Sequence, residues 1–319
     1  MTGRYVVRGG EQTFAPPFMQ RDTRLRGFFL RAAPAALQAT CDRLLNDPAG
    51  GAVSYRALGD HVLLAYAPIG STQATEPPDH DKGFTPETDV AFWMLVGAGE
   101  EKHGEWKLDR LAWLLPYVWV DVPTTMATGR EVYGYPKELG WLTLPASEGD
   151  ALVFGLETMV LPTFTPETEL VRRPMLRVER VGGLEAAEPE KWSHPGEALR
   201  AVREVMGEVS LGFLEHLLEM LLRAEVPMVF LKQFRDVVDP TRACYQAIIE
   251  SPARVVGVPL GWPLLADYRV TLHDYASHRV ARELGLGTPE GGVLRVTPSL
   301  AFEVRFDFLV ELGRVVWQA

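Results

Sequence analysis

Three long apolar stretches constrain the fold of this chain more than any other feature. His61–Gly70 reads HVLLAYAPIG, Asp89–Glu100 reads DVAFWMLVGAGE, and Leu111–Val122 reads LAWLLPYVWVDV. Each is a short continuous apolar run bounded by turn-forming residues, the pattern of a buried strand. The last two are joined around GEEKHGEWKLD. The same strand signals recur in RGFFLRA, on both sides of a turn at Glu148-Gly149-Asp150, and after Pro227 in MVFLKQF, ACYQAIIES, ARVVGV, DYRVTLHD and LRVTPSLAFEVRFDFLVELGRVVW. Helical patterns are few. APAALQATCDRLLND reads as a helix, SHRVARELGLG as a short helix ending at a glycine, and PTTMATGREVYG begins with a helical turn.

The period changes strongly once. Leu199, Val202, Val205, Met206, Val209, Phe213, Leu217, Met220 and Leu221 recur at helical spacing and predict a long amphipathic helix over 194–223. It serves either as a cover for the core or as a subunit contact or lid. Residues 1–25 read as an irregular arm, 71–88 as a polar, proline-rich loop, and 165–192 as a charged, irregular segment. Mostly antiparallel strands with few helices predict a single α+β domain over 1–319, built on one closed or strongly curved sheet, with a helical insertion at about 165–225.

Composition narrows the function. A net charge of −10, with no basic block, argues against a nucleic-acid or anionic-membrane partner. Cys41 and Cys244 are too few for a disulfide framework or a metal knuckle. No apolar run approaches the roughly 18 residues of a membrane span. The first residues lack the apolar stretch of a signal peptide, so a cytoplasmic protein is expected. Phosphate-binding and dinucleotide-binding glycine motifs and a nucleophile elbow are absent, and the seven histidines show no zinc-ligand spacing. No cofactor and no metal are expected.

The chemistry-bearing stretch is GREVYGYPKELG, Gly129–Gly140. Lysine makes up only six of the 32 Lys and Arg residues, so the chain favours arginine. A lysine retained among aromatics and glycines has a chemical reason available to it, because arginine neither loses its proton nor forms an imine. An imine-forming lysine attacks as the neutral amine, and at its ordinary pKa of about 10.4 only about one in a few thousand is neutral at pH 7. Burial without a counter-charge lowers a lysine pKa to about 5–6, and Tyr133, Tyr135, Pro136, Leu139 and Trp141 suit such burial. In an extended segment Tyr133 and Tyr135 would share the face of Lys137 as apolar walls with polar tips.

GREVYGYPKELG resembles the G-R-E-x-x-x-Y-P-K-K-L segment of acetoacetate decarboxylase and its wider superfamily. LLPYVWVDVPTTMATGRE, LLAYAPIG with GFTPETDVAFWMLVG, and LKQFRDVVDPTRACYQAII are similar to that family's neighbouring segments. The resemblance covers roughly residues 26–165 and 225–315. It implies a curved antiparallel β-barrel or cone with an internal cavity, flanking helices and one inserted long helix. It implies that Lys137 forms a Schiff base with a keto acid, that Glu87 is the active-site glutamate, and that an arginine of the arm binds the substrate carboxylate. Arg21, Arg24 and Arg26 all lie near that place, and Arg24 is the choice made. Arg130, Tyr135 and Gln246 complete the candidate substrate contacts. The family's assembly implies a homo-oligomer.

Plain alternatives stand beside each assignment. Lys137 fits a surface, Glu87 a solvated loop, Arg130 an ion pair with Glu131 or a helix end, and Tyr245 or Gln246 simple packing. One departure bears on the activity: the family's second lysine is Glu138 here. A carboxylate about 6 Å from Lys137 would attract it by about 3 kcal/mol at an effective dielectric of 20 and raise its pKa by about 2 units. Strand alternation instead points Glu138 to the opposite face, solvated or paired with an arginine. The reading is a Schiff-base lyase acting on a keto acid, with cleavage of acetoacetate-decarboxylase type. The alternatives are an aldolase-dehydratase on pyruvate-like 2-oxo acids and a non-catalytic protein binding a small apolar ligand.

Overall fold

The apolar runs are strands buried on both faces. In the computed structural model, which describes residues 3–7, 13–146, 150–183 and 227–319, β1 (Phe18–Arg31), β2 (Tyr55–Ala74), β3 (Thr85–Lys102) and β4 (Glu105–Val120) form an antiparallel meander. Along β2, Leu64 and Tyr66 join one core with Phe28, Phe92 and Trp119. Leu63, Ala65 and Ala67, between them, face the other side of the sheet. With no wet face there is no polar alternation, so these strands read as continuous apolar runs.

The other strands are β5 (Lys137–Thr143), β6 (Leu152–Val160), β7 (Val171–Gly182), β8 (Met228–Arg235), β9 (Ala243–Ser251), β10 (Ala253–Pro263), β11 (Asp267–His273), β12 (Val293–Val296), β13 (Leu300–Val310) and β14 (Arg314–Gln318). Hydrogen bonding orders them β10-β13-β1-β2-β3-β4-β5-β6-β7-β11-β12, with β8, β9 and β14 branching from β4. Pairing is antiparallel except where β4 meets β5 and β8. The path has two open ends, so the sheet does not close on itself as a barrel. Among the described residues, three short α-helices flank it: α1 (Pro34–Cys41), α2 (Pro123–Thr128) and α3 (Val280–Glu283). Pro34 and Pro123 start the first two, where a missing N–H costs nothing.

Two segments read as irregular are strands. The arm enters β1 at Phe18, and Thr23 and Leu25 are buried beside the exposed Arg21 and Arg24. Residues 171–182 form β7, in which Met175, Leu176 and Val178 are buried beneath a charged outer surface. The arginines and Pro174 conceal that pattern. The ends of the polar loop are likewise strand, because β2 runs to Ala74 and β3 begins at Thr85. The helix expected over 194–223 lies outside the described residues. No helix among those described is long and apolar enough to cross a membrane.

Candidate active site

Lys137 opens β5, paired in parallel with Val118 of β4. The chain reaches it through a tightly tied loop rather than an extended segment. α2 continues as one π-helical turn, Gly129–Tyr133, and stops at Gly134, whose φ of +88° suits glycine. A Cβ at Gly134 would also lie 2.6 Å from Lys232 Cα. The Tyr135 amide donates to the Gly129 carbonyl at 3.1 Å, and the Lys137 amide to the Tyr135 carbonyl at 2.7 Å. Arg130 Nη1 donates to the Lys137 carbonyl at 3.0 Å. The lysine stem crosses Gly129, where a Cβ would sit 2.7 Å from Lys137 Cδ. Glycine at 129 is therefore a condition of the lysine's path.

The lysine side chain is only 8% exposed and ends between two carboxylates. Nζ lies 3.1 Å from Glu87 Oε2 and 3.5 Å from Asp89 Oδ1. Glu87 Oε1 accepts from Thr72 Oγ1 at 2.8 Å and from Gln20 Nε2 at 3.4 Å. Nζ also stands 5.7 Å from the centre of the Tyr135 ring. Tyr135 stacks obliquely on Phe230 and directs its hydroxyl to Met228 Sδ at 3.4 Å.

These groups line a cavity of about 410 Å³ between β1, β2, β3, β4, β10 and β13. Phe18, Phe29, Trp93, Trp113 and Phe302 supply much of its wall. Burial disfavours the charge on all three ionisable groups, and their mutual attraction redistributes the protons. Burial pushes Lys137 down, but the Asp89 and Glu87 charges outweigh it and its pKa is raised. Burial pushes Glu87 up, but the Lys137 charge and the Thr72 hydroxyl outweigh it and its pKa is lowered. Asp89 is pushed up to about 8, by burial and then by Glu87, with Lys137 offsetting only part. The site thus favours a lysinium and an ionised Glu87, and it disfavours charge on Asp89. This corrects the expectation of a lysine without a counter-charge, neutral at rest: Glu87 of β3 supplies one.

Lys137, Glu87 and Tyr135 come together. Arg24, Arg130 and Gln246 are placed elsewhere. Arg24 Nε binds Glu303 at 2.5 Å, and Arg26 binds the other oxygen of the same buried carboxylate at 2.9 Å. Arg21 faces Asp307 at 3.7 Å. Arg130 is exposed and works on backbone, and its neighbour Glu131 accepts from Tyr5 instead. Gln246 donates to Gln233 at 2.9 Å, and neither it nor Tyr245 lies on the described cavity wall. Glu138 points away from the lysine amine; its side chain is part-exposed to solvent, as expected, and contacts His278 Nε2 at 2.9 Å rather than an arginine. Asp89, Thr72 and Gln20 were not singled out from the sequence. Asp89 had a signal: Glu87 and Asp89 are two apart on one strand and so share a face. Among the described residues, no group of three His, Cys, Asp or Glu is arranged to hold a metal ion.

The strand arrangement, though not the site, has counterparts among solved structures. Acetoacetate decarboxylase from Legionella pneumophila superposes with a TM-score of 0.58 at 14% identity, over 99% of this chain and 93% of that one. An acetoacetate decarboxylase-like enzyme from Sphingomonas wittichii RW1 matches over the whole of both chains, with a TM-score of 0.55 at 13% identity. The enduracididine biosynthesis enzyme MppR, complexed with pyruvate, matches with a TM-score of 0.53 at 14% identity, over 97% of this chain and 93% of that one. No protein-family model and no curated protein matches the chain. The protein has the acetoacetate decarboxylase-like fold.

Proposed function

We propose that the protein is a Schiff-base-forming carbon–carbon lyase in which Lys137 is the nucleophile toward a keto acid. The observation that carries this reading is the buried Lys137 amine, 3.1 Å from Glu87 and 3.5 Å from Asp89 on the wall of a largely apolar cavity. Filling the cavity with substrate removes water, and a desolvated lysinium–carboxylate pair is less costly as two neutral groups. The Nζ proton passes to Glu87 Oε2 along their existing hydrogen bond. The neutral amine adds to the substrate ketone, Glu87 returns its proton to the hydroxyl group so formed, and loss of water leaves a protonated imine. That cation accepts the electron pair of the broken carbon–carbon bond, so a β-carboxylate leaves as carbon dioxide and an enamine remains. Asp89, in its protonated form, delivers a proton to the enamine carbon. Hydrolysis of the imine releases the ketone and the lysine. The net change is keto-acid anion plus one proton to ketone plus carbon dioxide.

The fold likeness to MppR favours a second reading on the same amine. That enzyme has been captured with the condensation product of pyruvate and imidazole 4-carboxaldehyde. An aldolase-dehydratase would use the same enamine to form, rather than break, a carbon–carbon bond. Carboxyl-labelled 3-oxo and 2-oxo acids, followed by carbon NMR in deuterated water, distinguish the two. Decarboxylation releases labelled carbon dioxide and places deuterium on the product carbon, whereas condensation retains the label. Turnover by Lys137→Arg at the wild-type rate would remove both readings.

A further inference from the structure

The residues beside Lys137 form a row across the sheet. Lys137 pairs with Val118, Val118 with Ala91, Ala91 with Ala65, Ala65 with Gly27, and Gly27 with Phe302. Cross-strand partners project to the same face. Of this row, Lys137, Val118, Ala91, Ala65 and Phe302 line the cavity. Its middle is kept small by Ala91 and Ala65, both nearly fully buried, with Ala67 beside Asp89 in the next row. The row closes at Gly27, where a Cβ would overlap the Phe302 ring and approach Leu63 Cδ1 to 2.9 Å. Phe302 therefore lies across the far end of the trough.

Nζ already reaches Glu87 and Asp89 of β3, so from β3 to Gly27 of β1 two inter-strand steps of about 4.8 Å remain, a path of about 10 Å. At about 30 Å³ per water-sized group, 410 Å³ holds about 14 heavy atoms, roughly twice those of a four-carbon keto acid. The charged residues on the described wall are Lys82, Glu87, Asp89 and Lys137, and none belongs to the row beyond the lysine. The acids stand on β3, and from there to Phe302 the row itself, Ala91, Ala65 and Gly27, is apolar.

We infer that the substrate carries an extended, unbranched apolar chain that lies along this row, with its carbonyl carbon at Lys137 and its tail against Phe302. Ala65 is the residue that sets the chain length. The inference rests on the Schiff-base reading for the position of the carbonyl, but the trough is testable without it.

The probes are unbranched methyl ketones from about four to about fourteen carbons, the span suggested by the cavity volume. Each is incubated with the protein and borohydride, and labelling is read by intact mass. The half-saturating concentration is expected to fall by about fourfold per added methylene until the trough is full, and then to rise. Ala65→Phe moves that break to shorter chains. Phe302→Ala moves it to longer ones, a change that misfolding does not produce. Labelling that ignores chain length, or a break unmoved in both variants, overturns the inference. If no ketone of any length labels Lys137, the Schiff-base reading fails. The trough is then read by displacement of an apolar fluorophore with primary alcohols of the same lengths. The same length optimum, shifted by the two variants, upholds the trough, and its absence overturns it.

Discussion

Replacing Lys137 by methionine keeps an unbranched stem over Gly129 and removes the cation paired with Glu87. At 3.1 Å and an effective dielectric of 20, the lost attraction is about 5 kcal/mol. Removing one partner of a buried pair costs about 3–5 kcal/mol, because the other charge is left uncompensated. For a chain of this size, about 2 °C per kcal/mol gives a fall in Tm of about 6–10 °C at pH 8. The pH dependence carries the sharper test. In the wild type Glu87 is depressed, so its contribution is present above the unfolded value of about 4.3 and is lost as pH falls. In the variant its folded pKa is raised by burial, so stability is present below about 4.3 and is lost as pH rises. The two proteins therefore converge toward pH 4–5 and separate toward pH 8. Adding Glu87→Gln to the variant removes the buried charge and should recover at least half of the loss at pH 8. Thermal denaturation followed by circular dichroism at pH 5, 6.5 and 8 measures this. An equal loss at pH 5 and pH 8, or no recovery in the double variant, would refute the paired geometry.

Gly129→Ala places a methyl group 2.7 Å from Lys137 Cδ and should cut ketone labelling at least tenfold, a deflection of roughly 1.4 kcal/mol or more, with little change in Tm. Retained labelling would show that the lysine takes another path. Asp89→Asn cannot ionise, whereas wild-type Asp89 has a folded pKa raised to about 8, so wild-type stability from this group is lost as pH rises through that value. The variant's urea midpoint should therefore gain on the wild type from about pH 4 to about pH 8 and then level off. A difference independent of pH would place Asp89 outside the ionic cluster.

The central meander was legible because strands covered on both faces leave nothing polar to interrupt the run. β7 was not, since Pro174 and four arginines occupy the positions that would show its alternation. Lys137 stood out from its immediate neighbours: a lysine after proline, among tyrosines, in a chain that favours arginine. The ionisation of that lysine was misread because the groups that govern it are distant in sequence. Glu87 and Asp89 lie on β3, some fifty residues away, and their approach depends on β4 bringing Val118 alongside Lys137. The ion pair of Arg24 was hidden for the same reason. Its partner Glu303 is 279 residues downstream on β13, and only strand pairing brings the two together. Glu138 succeeded because its direction depends on alternation within one strand, which is a local property.

The measurement closest to the central claim is reductive trapping with residue-level readout. Wild-type protein and Lys137→Arg are each incubated with a ketone and borohydride, digested, and mapped by mass spectrometry. Arginine keeps the charge beside Glu87 and Asp89 but forms no imine. One alkyl adduct per chain, on the peptide carrying Lys137 and absent from the variant, is the result predicted. An adduct on Lys232 or another lysine, or equal labelling of Lys137→Arg, would contradict the assignment of Lys137 as the covalent residue.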